Sequence, residues 1–126
     1  MQPLVLLVVF AIASPLLLVA AHPDAIHAEV HMNTPFENEK QAIDAASHLE
    51  SQLMLASWVL PVNADDLKQA ERKVENEDGK VKISYDLEKK GGCVNAHTIA
   101  DLGTTYLGEI GSVNVACEGA EKEYKR

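Results

Sequence analysis

Residues 63–88, NADDLKQAERKVENEDGKVKISYDLE, decide how much of this chain is helix and how much is sheet. The second half reads plainly. Val81, Ile83 and Tyr85 alternate with Lys82, Ser84 and Asp86, the period-two pattern of a strand with one buried face. The first half has two readings. Asn63 can cap a helix, Asp65 and Asp66 suit its positively polarised first turn, and Leu67, Ala70 and Val74 share one thin apolar side. On that reading a helix runs to Asp78-Gly79. The rival is a hairpin turning at NEDG, residues 76–79. The helix is the expectation carried forward, with the hairpin as its alternative.

Upstream, the apolar residues Ile26, Ala28, Val30 and Met32 alternate with His27, Glu29 and His31, which predicts a strand over 25–32. Thr34-Pro35-Phe36-Glu37 then has the form of a capping box with proline at the first helical position. The helix it opens is amphipathic. Phe36, Ile43, Met54 and Trp58 form one apolar side, widened by Ala42, Ala46, Leu49 and Leu53, and Pro61 ends it after Leu60. Trp58, Tyr85 and Tyr106 are expected in the core.

Downstream, Glu88–Gly92 makes a glycine-ended turn and Cys93–Asn95 a short strand. Residues 97–111 space Ile99, Leu102, Tyr106, Leu107 and Ile110 at helical intervals, although Gly103 and Gly108 each cost roughly 1 kcal/mol relative to alanine. Val113 and Val115 mark a last strand ending at Cys117, and 118–126 read as a frayed tail. The expected fold is therefore α+β: a small, mainly antiparallel sheet covered on one face by about three helices. The element order fits the split βαβ, or ferredoxin-like, plan with an extra helix. That analogy is architectural and carries no function.

Residues 1–21 carry no charged side chain and end in Val19-Ala20-Ala21. Proline at position 15 breaks the apolar run short of the ~20 residues of a membrane span, so a cleaved signal peptide is expected, leaving 22–126 as a single secreted domain. Residues 22–33 form its N-terminal segment or strand. Cys93 and Cys117 are the two cysteines, and in an oxidising compartment they are expected to pair. A bridge closing a loop of this length contributes about 3 kcal/mol in the chain-entropy account.

The net charge is −8, which disfavours nucleic-acid phosphates and anionic lipid as partners. No Asn-x-Ser/Thr acceptor occurs, because Asn33-Thr34-Pro35 has its threonine in the wrong place. Cys93 and His97 could form a nucleophile pair, but the disulfide would consume the thiol, and no serine elbow is present. The expectation is a non-enzymatic extracellular interaction protein, resembling an effector, toxin or inhibitor in its size and clasp, that needs no cofactor and binds an extracellular protein or receptor.

Two alternatives stand beside it. Cleavage after Ala21 would expose His22 as an amino-terminal amine-imidazole pair for copper or zinc, with His27 and His31 as further candidate metal ligands. Against it, positions four apart on a strand lie about 13 Å apart, too far for His27 and His31 to share an ion. The other alternative is a precursor cut at the dibasic pairs Arg72-Lys73, Lys89-Lys90 and Lys125-Arg126.

Overall fold

The computed structural model describes residues 23–126, so the expected leader and His22 lie outside the described residues. The order is β1 (Ala25–Pro35), α1 (Glu39–Ala56), α2 (Asp65–Gln69), β2 (Glu71–Glu77), β3 (Lys80–Glu88), α3 (Gly92–Tyr106), β4 (Ile110–Cys117) and β5 (Ala120–Lys125). The strands form one sheet in the order β2-β3-β1-β4-β5, every neighbouring pair antiparallel. β1 lies between two hairpins. β1 and β2 run parallel with β3 inserted between them, the split βαβ arrangement, and β5 extends it at one edge. The α+β class, the antiparallel sheet, the three helices and the single disulfide agree with the sequence reading.

The decisive stretch resolves in favour of the hairpin. Only Asp65–Gln69 is helical, and Glu71–Glu77 pairs with β3 from Glu71↔Asp86 to Glu77↔Lys80. The turn explains why. Asp78 and Gly79 both have positive φ, 51° and 89°, the two-residue geometry whose twist matches that of the strands. Asn76 Oδ1 accepts the Gly79 amide at 2.8 Å and fixes the corner. A thin helix face of Leu67, Ala70 and Val74 offers little burial, whereas the strand pairs its backbone with β3 along its whole length.

The C-terminal tail makes the same correction. Glu118 and Gly119 have φ of 54° and 78°, and β5 pairs with β4 from Ala120 to Lys125. Cys93–Asn95, expected as a short strand, is instead the first turn of α3.

α1 starts later than Thr34-Pro35 suggested. Those two residues complete β1, and Asn38 is the cap, its side chain accepting the Gln41 amide at 2.8 Å. Gln41 Oε1 in turn accepts the Glu37 amide at 3.1 Å, so the reciprocal pair sits four residues further on. The α-helix ends at Ala56, and bonds from Trp58, Val59 and Leu60 back to Leu55 and Ala56 carry the chain round a tight turn before Pro61.

The core lies between one sheet face and the helices. Ile26, Val30, Val81, Ile83, Val113 and Val115 meet Ala42, Ala46, Leu49 and Leu53 of α1 and Ala100 of α3. The alanines let the α1 backbone approach the strands, which is why this side is buried while Ile43 is left 37% exposed. Tyr85 is buried as expected. Trp58 and Tyr106 are not: they are 80% and 69% exposed.

Candidate functional site

The last turn of α1 and the turn that closes it carry three of the exposed large apolar groups among the described residues. Leu55, Trp58 and Val59 are 64%, 80% and 84% exposed. Their i, i+3, i+4 spacing puts them on one side of the chain. The patch is therefore a projection away from the core. It is also anchored. Asn95 of α3 accepts the Asn63 amide at 2.9 Å and donates to the Asn63 carbonyl at 2.9 Å, holding the far side of the turn. The same amide donates to Asp66 at 2.8 Å, and Lys89 pairs with the other oxygen of that buried carboxylate at 2.5 Å. A tryptophan on a fixed turn is the residue type that dominates binding energy at protein interfaces.

The sheet face away from the helices is polar. His27 Nδ1 lies 2.7 Å from Asp86 and its Nε2 3.0 Å from Glu29. His31 Nδ1 lies 2.6 Å from Glu77. Lys82 sits among Glu29, Glu75 and Glu77 at 3.6–3.9 Å. Burial alone would depress the His27 imidazole, but hydrogen bonds to Glu29 and Asp86 and the charge of both carboxylates outweigh it and raise its pKa. Glu29 is shifted the other way, chiefly by its hydrogen bond from His27 and against its own partial burial, with Lys82 and the two histidines adding charge. The candidate metal ligands His27 and His31 are thus engaged by carboxylates. Among the described residues they belong to no group of three whose donor atoms converge on one ion.

The interior holds a cavity of about 70 Å³, lined by apolar groups of the sheet, α1 and α3, with Asp66 and Asn95 at its rim. This is about half the ~150 Å³ void that admits benzene. Cys93 and Cys117 are bonded, tying the first turn of α3 to the end of β4. His97, read from the sequence as part of the helix over 97–111, lies between Tyr124 and Cys117, and Asp101 is exposed.

Three features went unread in the sequence. Glu50 accepts hydrogen bonds from Arg72 at 2.9 Å and from the buried Tyr85 hydroxyl at 2.6 Å, joining α1 to the β2-β3 hairpin. Reading β2 as a strand would have put Arg72 beside Tyr85 on the inner face. The Asp66–Lys89–Asn95 cluster depends on tertiary approach and has no local signal. The exposure of Trp58 was open to a stricter wheel, because Ala42, Ala46, Leu49 and Leu53 make a continuous stripe without it. No protein-family model, curated protein or solved structure matches this chain.

Proposed function

We propose that this is a secreted, non-enzymatic interaction protein that inserts the Leu55–Trp58–Val59 turn into an apolar recess of an extracellular protein. The observation that carries the reading is Trp58, a large aromatic side chain four-fifths exposed on a turn pinned by Asn95. Leaving such a group in water has no folding benefit, whereas burying it against a partner gains roughly 2–3 kcal/mol. The net charge of −8 favours a partner whose surface around the recess is cationic, which would hasten encounter at low salt. The charge-free leader and the Cys93–Cys117 bridge support export. No helix among the described residues is long and apolar enough to cross a membrane.

The test is comparative capture from extracellular fluid with the oxidised chain, Trp58→Ala and Val59→Asp. The reading expects a stoichiometric partner with the parent chain and at least a 30-fold loss of affinity in both variants. Capture unchanged by either substitution would contradict it.

A further inference from the structure

The disulfide has a neighbour that a merely structural clasp does not require. His97 Nε2 lies 3.6 Å from Cys117 Sγ, and the donor atoms of Cys93, His97 and Cys117 all fall within 4.8 Å of one another. His97 reaches this place from α3, one turn beyond Cys93, while Cys117 arrives from the end of β4. The other ring nitrogen, Nδ1, lies 2.7 Å from the Tyr124 hydroxyl of β5. A neutral imidazole that donates from Nδ1 to that oxygen leaves the Nε2 lone pair facing the sulfurs. This is the outer-shell arrangement that orients a metal-ligating histidine.

The spacing fits a cation. A tetrahedral centre with Zn–S of about 2.3 Å and Zn–N of about 2.0 Å has an S···N edge of about 3.5 Å, against 3.6 Å observed here. Its S···S edge is about 3.8 Å, a separation that the two sulfurs can reach once the bond between them is gone. A surface crevice lined by Pro23, Lys90, Gly91, Glu118 and both cysteines leads to the sulfur pair from solvent.

We propose that Cys93, Cys117 and His97 form a zinc-type site that the disulfide closes and reduction opens. The opening step is a two-electron thiol–disulfide exchange with a dithiol. The Cys93–Cys117 bond breaks, the dithiol is oxidised to its own disulfide, and its two protons end on the cysteine sulfurs. Binding of a divalent cation then releases those two protons to solvent, because the thiolates are the ligands. In an oxidising compartment the chain carries the clasp; in a reducing one it carries the ion in the same place, so the α3–β4 junction stays tied in both.

Cobalt(II) serves as the probe. The full chain is reduced with a phosphine, freed of reductant without air, and titrated beside the oxidised chain. The reduced chain should bind one equivalent, showing a thiolate-to-cobalt charge-transfer band and the visible bands of four-coordinate cobalt, with zinc displacing it. The oxidised chain should show neither. His97→Ala should weaken binding at least tenfold with both thiols still titratable, and Tyr124→Phe by a comparable or smaller factor through loss of the Nδ1 partner. The metal-loaded reduced chain should retain the circular dichroism of the oxidised one. The proposal is overturned if the reduced chain gives no such bands, if His97→Ala binds as tightly, if the oxidised chain binds equally well, or if the cobalt complex is unfolded.

Discussion

Two apolar groups only two residues apart at the end of α1 meet opposite fates. Leu49 and Leu53 are buried at 1% and 8% exposure, while Leu55, with Trp58 and Val59 beyond it, stands in water. Their composition is the same kind; what differs is angle. The buried pair continues the line of Ala42 and Ala46, whose small side chains set the helix close to the sheet, and the exposed trio lies on the far side of that line. Hydrophobicity in this chain therefore does two jobs, one that stabilises the fold and one that is available to a partner. Substitutions should separate them.

The largest effect belongs to the buried side. Leu49→Ala removes a side chain only 1% exposed within the core cluster and should cost about 3 kcal/mol, read as a fall in the denaturant midpoint. Equal stability of the variant would mean that α1 does not dock as described. Replacing both cysteines by serine should cost about 3 kcal/mol in the oxidised chain, lowering the melting temperature by more than 10 °C. Glu50→Gln weakens the link between α1 and the hairpin by leaving Arg72 without its carboxylate, for about 1–2 kcal/mol by the same unfolding assay.

On the exposed side, Trp58→Ala should change unfolding free energy by less than about 0.5 kcal/mol. A loss as large as that of Leu49→Ala would show that the turn is part of the core and remove the contrast.

The smallest effect is on the polar sheet face. His27 has a raised pKa in the fold, so its contribution is complete below about pH 6.5, the unfolded value, and fades as pH rises through the folded one. Glu29 has a lowered pKa, so its contribution is complete above about pH 4.5 and fades as pH falls through the folded one. Both operate together at about pH 5–6, where thermal stability should peak. His27→Gln should flatten the alkaline limb by about 0.5 kcal/mol, a figure kept small because the imidazole is more than a third exposed. An unchanged limb would assign it to other groups.

Much of the architecture was legible. The alternation through β1, β3 and β4 needs only period-two counting, and the cysteine pair needed only parity and the expectation of export. What was misread has a common physical origin. β2 and β5 are edge strands, rich in Glu and Lys and nearly bare of β-branched residues, so their identity rests on pairing partners and on the Asp78-Gly79 and Glu118-Gly119 corners more than on their own side chains. The cap at Asn38 outcompeted Thr34 because β1 claims Thr34 and Pro35 for its last pairing, with Lys80. The open sheet face was legible as polar, with His27, Glu29 and His31 together, but their carboxylate partners come from β2 and β3 across the sheet. The surroundings of His97 were out of reach because its neighbour Tyr124 lay in the supposed tail.

Trp58 is the sole tryptophan of this chain, so its fluorescence, read after subtraction of the partner's own emission, reports whether the turn becomes buried. Alone, the chain should emit like indole in water and be quenched freely by acrylamide. With a captured partner added to saturation, the emission should shift to the blue and quenching should fall several-fold. A saturated complex in which Trp58 stays as red and as quenchable as before would contradict the account.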